Sequence, residues 1–239
     1  MTAIAVIPAR LASTRLPRKM LREIAGQPLL AYVYRAAASS SLLDDVIIAT
    51  DSEEILGVCQ KNNWHARMTS AAHRNGTERV HEIANSIAAD VYINVQGDEP
   101  LIRPEHISAL LDVMKDPAVA VGTLKAAASA SDIKNPNAVK VVTDTSGRAL
   151  YFSRATIPFD RDGTRPRYCI HMGLYAYRKA ALDRYSSFPE SLLERSERLE
   201  QLRFLENGIP IHVGETSYDT VRVDTEEDFQ RIQKLLSIP

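Results

Sequence analysis

Three cations, Arg10, Arg15 and Lys19, lie within a ten-residue stretch, with the hydroxyls of Ser13 and Thr14 between them. They follow an apolar run, Ala3 to Ile7, of the length of a buried parallel strand, and Pro8 is expected to end that strand. Forked guanidinium donors and a compact ammonium just beyond a strand's carboxyl end suit a polyphosphate. Two carboxylates complement them. Asp98 stands in Gln96-Gly97-Asp98-Glu99-Pro100, directly after the apolar run Val91 to Val95, and Asp224 follows the apolar Val223. Carboxylates on rigid strand ends suit a hard cation such as Mg²⁺, which takes the rest of its shell from phosphate and water. Each feature also has a plain structural reading: a solvated basic loop, a turn or helix cap at Asp98, a cap of the last helix at Asp224. Their combination favours a metal–nucleotide site.

Other polar groups are less telling alone. The loop Ala72 to Arg79 is rich in small donors around Gly76, and Thr77 there can be simply a helix cap. Arg154 can pair with a carboxylate in two-point geometry. His171 and Tyr175, four apart in a strand-like run, share a face. No Ser-His-Asp order, zinc cluster, P-loop or GxGxxG is present.

These groups must be positioned by alternating strands and helices. Residues 28–40 have helical periodicity; Val46 to Thr50 reads as a strand and Glu53 to Asn62 as a helix capped by Ser52. A helix from Glu78 to about Ala88, the strand Val91 to Val95 and a helix from Pro104 to Lys115 follow. This is the pattern of a doubly wound parallel sheet covered on both faces. From about residue 118 to 178 the rhythm becomes β-rich, with strands expected at 119–124, 138–144, 150–153 and 170–177, little helix between them, and a plausible dimerisation surface. Residues 179–207 read as mostly helical, Ile209 to Val213 as a returning strand, Val221 to Asp224 as a strand or loop, and Glu226 to Leu236 as a closing amphipathic helix. The 239 residues are expected to form one domain, with 118–178 as a section within it.

A net charge of -1 argues against a general nucleic-acid or membrane-surface binder, so any positive field is local. No apolar run approaches 18 residues, and Cys59 and Cys169 lack metal-ligand spacing, so they read as free thiols in a reducing cytoplasm.

With these residues in view, the chain resembles the CMP-Kdo synthetases, the 3-deoxy-manno-octulosonate (Kdo) cytidylyltransferases of lipopolysaccharide synthesis. The matching stretches are IPARLASTRLP (7–17), VIIATD (46–51), NGTER (75–79), NVQGDEPLI (94–102), NPNAVKVV (135–142), ALYFSRATIPFDRD (149–162), HMGLYAYR (171–178), LEQLRFLENG (199–208) and VDTEEDF (223–229). They span nearly the whole chain in order. The resemblance implies a Rossmann-like α/β nucleotidyltransferase fold with a mainly parallel sheet, a cytoplasmic homodimer, CTP and Mg²⁺. It implies that Arg10, Ser13, Arg15 and Lys19 hold the triphosphate. Pro8, Ala9, Arg74, Asn75, Gly76 and Thr77 would line the cytosine and ribose pocket. Asp98 and Asp224 would hold magnesium, Gln96 would lie near the sugar acid, and Arg154, His171, Tyr175, Glu200 and Gln201 would bind Kdo.

Three departures from the family pattern stand out. Pro17-Arg18-Lys19-Met20 replaces the usual Pro-Gly-Lys-Pro, Asn75 replaces the usual Ser, and the segment from Asp162 to His171 is short. The nearest rival activity is the same transfer to 8-amino-Kdo or a sialic acid. A non-catalytic nucleotide-binding module is disfavoured, because binding alone does not require both carboxylates and the whole basic loop.

Overall fold

The first strand, β1 (Ala3–Ala9), is an inner strand in a run of four parallel strands in the computed structural model, which describes residues 1–13 and 15–236. Thr14 lies outside the described residues. β1 runs two residues further than expected, with Pro8 inside it opposite Ala49. The imide is accommodated for a specific reason. Val6 accepts from Val95 N on one side, and pairing on that side ends at Val6↔Asn94. Pro8, two residues on, faces the same way, so its missing N–H costs no ladder bond.

The strand pairs with β4 (Asp45–Thr50) and β6 (Val91–Asn94), and β5 (Ala66–Met68) extends the sheet beyond β4. β2 (Glu23–Ile24) and β3 (Gln27–Pro28) form a small separate hairpin. The connecting helices are α1 (Leu29–Ala38), α2 (Glu53–Lys61), α3 (Gly76–Ser86) and α4 (Pro104–Val113). Ser52 caps α2 as expected, its hydroxyl accepting from Ile55 N. α3 starts two residues early because Asn75, and not Thr77, is its cap: the Asn75 amide oxygen accepts from Glu78 N at 2.9 Å. β5 was not expected; three residues at a sheet edge leave too short a pattern to read.

Residues 1–108 and 219–239 form one compact unit, and residues 109–218 form a second. The second contains β7 (Val121–Ala127), α5 (Ala130–Lys134), β8 (Lys140–Thr143), β9 (Ala149–Ser153), β10 (Cys169–Tyr177), α6 (Lys179–Ser187), α7 (Leu192–Glu197), α8 (Leu202–Glu206) and β11 (Ile211–Glu215). β7 pairs with β11 in parallel and with β10 antiparallel; β8 pairs antiparallel with both β10 and β9. The β-rich section is therefore present, with the short helix α5 added where little helix was expected. Ser129 and Asp132 hold that helix by a reciprocal capping box.

In the first unit, the last helix, α9 (Glu226–Leu236), has the expected limits. Its Phe229 and Ile232 bury against Leu16, Ile24, Leu29 and Val223. At roughly 1.5–3 kcal/mol for each large apolar side chain fully buried, this cluster fastens both the basic loop and the segment before α9 to one core.

Candidate active site

The loop after β1 reaches the site through a turn that most side chains resist. Arg18 has φ 55°, and a single 3-10 turn, Lys19–Leu21, follows. Glycine adopts such a φ without strain, whereas a side chain such as that of Arg18 does so at a cost. With Leu16 buried on one side of the turn and Met20 on the other, Lys19 is carried inward and is only 7% exposed. Its ammonium donates to Asp98 Oδ2 (2.6 Å), Val223 O (2.8 Å) and Asp224 Oδ1 (3.1 Å). These partners use all three N–H groups.

Asp98 is placed by the end of β6 and by Gly97. A Cβ at Gly97 would stand 2.9 Å from Pro8 O and 3.1 Å from Met20 Sδ, so a glycine here lets the end of β1 come close to this turn. The Asp98 carbonyl also accepts from Val223 N at 2.9 Å, tying the segment before α9 to this turn. Asp224 does not cap α9. Thr225 Oγ1 accepts from Asp228 N, and the Asp228 carboxylate accepts from Asp224 N, Thr225 N and the Thr225 hydroxyl. The Asp224 carboxylate is left for the site.

Two further residues complete this cluster. Arg222 Nε lies 3.2 Å from Asp98 Oδ2 and 3.5 Å from Asp224 Oδ2, and Arg15 lies 3.2 Å from Asp224 Oδ2. Burial raises the Asp224 carboxyl, but Arg222, Lys19 and Arg15 outweigh it and hold the pKa below the usual carboxylate value. The charge of Asp98, against the opposing effect of burial, raises the Arg222 guanidinium. Glu99 is buried beside the pair and accepts from the Thr220 hydroxyl at 3.2 Å. Burial first, and then the charge of Asp98, push its pKa up to about 7. Sequence reasoning singled out neither Arg222 nor Glu99. The alternation Val221-Arg222-Val223-Asp224 carried the signal for Arg222, because residues two apart in extended chain face one way.

Asp98 Oδ1 is buried without a hydrogen-bond partner among the described residues. The arrangement thus presents two convergent carboxylates, one with an unspent oxygen, inside a set of three cations. It can neutralise a polyanion and hold one end of it.

The remaining expected nucleotide residues take up varied places. Arg10 is exposed and forms no ion pair among the described residues. Ser13 Oγ accepts from Leu16 N at 3.4 Å. Ala9 is buried, and Pro8 and Gln96 are half-buried. Arg74 is exposed and lies along Glu78 through Nε (3.1 Å) and one terminal nitrogen (2.8 Å). A Cβ at Gly76 would stand 3.4 Å from Pro8 Cγ, so the start of α3 and the end of β1 come together. Thr77 is fully buried.

Of the expected sugar-acid residues, Gln96 belongs to the first unit, and Arg154, His171, Tyr175, Glu200 and Gln201 belong to the second. His171 and Tyr175 are brought together on β10, ring centroids 5.3 Å apart, with Phe152 edge-on to His171 at 4.9 Å. Tyr175 stacks on Tyr177, which stacks on Phe204 of α8, just after Glu200 and Gln201. Gln201 is buried with its Nε2 unpartnered among the described residues. Arg154 is tied down by backbone carbonyls: Nε donates to Glu197 O (2.7 Å), and its terminal nitrogens to Pro136 O (3.0 Å) and Arg198 O (3.4 Å).

Comparison with known proteins bears on which chemistry this is. Residues 4–216 match the family model described as cytidylyltransferase. The 3-deoxy-manno-octulosonate cytidylyltransferase of Koribacter versatilis (strain Ellin345) is 63% identical over 235 residues, covering 98% of this chain and 90% of the relative. The chain belongs to the 3-deoxy-manno-octulosonate cytidylyltransferase family. The Escherichia coli member is 42% identical over 236 residues, 98% of this chain and 96% of its own. Among solved structures, CMP:2-keto-3-deoxy-manno-octonic acid synthetase complexed with CTP superposes with a TM-score of 0.96 at 42% identity, covering 99% of each chain. The inositol-1-phosphate CTP transferase of T. maritima, at 13% identity and a TM-score of 0.71, shares the fold. The mixed α/β nucleotidyltransferase class expected from the sequence is the one observed.

Proposed function

We propose that the chain transfers CMP from CTP to the anomeric C2 hydroxyl of Kdo, releasing pyrophosphate and giving CMP-Kdo for lipopolysaccharide synthesis. The observation that carries this is the carboxylate pair Asp98 and Asp224 with its cations in a chain 63% identical to a Kdo cytidylyltransferase. The C2 oxygen attacks the α-phosphorus, and the bond to the bridging oxygen of pyrophosphate breaks. A transfer of this kind asks the protein for positioning and charge neutralisation more than for covalent help. Arg10 and Arg15, exposed at the end of β1, meet the triphosphate. Lys19 holds the carboxylates of Asp98 and Asp224 together.

The donor set fits Mg²⁺. Asp98 and Asp224 offer hard oxygens, one of them unpartnered, and no group of three or more His, Cys, Asp or Glu that could hold a metal occurs among the described residues. A cation held here keeps positions for phosphate oxygens and water. Magnesium bound to these carboxylates would polarise the α-phosphate. The same reading includes a homodimer formed through the β-rich section, supported by Leu150 and Phe159, which are 62% and 84% exposed. It also includes a cytoplasmic setting, supported by the buried free thiols of Cys59 and Cys169; no helix among the described residues is long and apolar enough to cross a membrane.

The test is pyrophosphate release from CTP with and without Kdo, in magnesium and then in excess EDTA. Release that requires both Kdo and magnesium is expected. Release with 8-amino-Kdo but not Kdo would move the substrate. No release with any sugar acid would refute the transferase reading.

A further inference from the structure

Thr123, on β7, is fully buried and faces Tyr175 in register on β10. The β10 ladder shifts register between Met172 and Tyr175, and two carbonyls of that irregular stretch converge on the Thr123 hydroxyl: Leu174 O at 2.7 Å and Met172 O at 3.2 Å. His171 Nε2 lies 2.9 Å from the same oxygen.

A hydroxyl has one hydrogen to give and two lone pairs to receive with. Carbonyl oxygens only accept. Were the Thr123 hydrogen directed at His171, Leu174 O would stand 2.7 Å from Thr123 Oγ1 with no hydrogen between the two oxygens, a repulsive contact. The hydrogen therefore goes to the carbonyl, and His171 Nε2 must carry a hydrogen and donate it to Thr123 Oγ1. Nδ1 is then the bare nitrogen, and it has no hydrogen-bond partner among the described residues.

We propose that Thr123 is a positioning residue that locks His171 in the Nε2–H tautomer, so that Nδ1 meets the sugar acid as a hydrogen-bond acceptor for one of its hydroxyls. This rests on the reading of His171 as a sugar-acid residue. Phe152 edge-on and Tyr175 alongside hold the ring in place, so the tautomer decides what the imidazole can offer. Burial drives the imidazole pKa down to about 3, which keeps the ring neutral and Nδ1 an acceptor at every working pH. A hydroxyl is selected over an acceptor such as a keto oxygen at the same sugar position, because two facing lone pairs would be left without a hydrogen.

The experiment combines imidazole ¹⁵N NMR of the full chain with steady-state kinetics for Kdo and CTP. His171→Gln identifies the His171 signals and tests the residue's contact with Kdo. The wild-type spectrum is expected to show a protonated Nε2 and an unprotonated Nδ1. Thr123→Val should give mixed tautomers and raise KM for Kdo about tenfold, the loss of one oriented hydrogen bond, with KM for CTP within twofold. Thr123→Ser should restore both spectrum and KM. A protonated Nδ1 in the wild type overturns the proposal, and it does so even if Thr123→Val fails to fold. An unchanged KM for Kdo in Thr123→Val, where His171→Gln raises it, also overturns it. An unchanged KM in His171→Gln overturns the sugar-acid reading beneath it.

Discussion

Replacing Lys19 with Met is the sharpest test of how this site is held. The side chain is 7% exposed, and its ammonium is shared between Asp98, itself 5% exposed, and Asp224. A methionine fills much of the same space but leaves two carboxylates facing each other. Breaking a buried pair by removing one partner costs about 3–5 kcal/mol. Arg222, 3.2 Å from Asp98 Oδ2, remains as a partial counter-ion, so the low end, about 3 kcal/mol, is expected. For a chain of this size that lowers Tm by roughly 6–12 °C. The pH dependence carries a sign. The Asp224 pKa is depressed in the folded state, so its contribution is present above the unfolded carboxylate pKa and is lost as pH falls through the folded value. Lys19→Met removes part of that contribution, so the gap between variant and wild type should hold from pH 7 down to about pH 4 and narrow as pH falls further. Urea denaturation at several pH values, without nucleotide or metal, measures it. A loss under 1 kcal/mol at pH 7, or a gap that ignores pH, would refute the reasoning.

The other predictions follow from neighbouring residues. Glu99 has a raised pKa of about 7, so the wild type should lose stability as pH rises from about 4.5 to 7, where the unfolded carboxyl has already ionised and the folded one resists. Glu99→Gln should be more stable than wild type by about 2–3 kcal/mol at pH 8, with the difference closing by pH 5; equal midpoints at both pH values would count against the burial of that charge. Arg18→Gly relieves a left-handed residue and should stabilise by about 1 kcal/mol despite losing the exposed pair with Glu54; a lower thermal midpoint would contradict this. Asp224→Asn should cut turnover by several orders of magnitude while circular dichroism stays unchanged, since Thr225 and Asp228 cap α9 without it; a near-wild-type rate of pyrophosphate release would remove Asp224 from the site.

What the amino-acid order determined by itself was local. An apolar run of β-branched residues is extended wherever it is buried, so β4 and β6 were legible to within a residue. Ser52 satisfies a helix start within three residues of itself, and α9 shows its apolar stripe without reference to the rest of the chain. The acidic ends of two apolar segments and the cations after β1 were legible as chemistry for the same reason. Which of them meet was decided only by tertiary structure. Lys19 read as one more cation on an open loop; its burial depends on Asp98, 79 residues away, and Asp224, 205 residues away. Pro8 looked like a strand terminator, because whether a missing N–H matters depends on where the neighbouring strand stops. Asn75 took the cap from Thr77, and Thr225 with Asp228 freed Asp224, through choices among adjacent polar residues that composition cannot rank. Arg222 and Glu99 became part of the site only because the segment before α9 folds over the Asp98 turn, where distance and burial turn ordinary charges into partners.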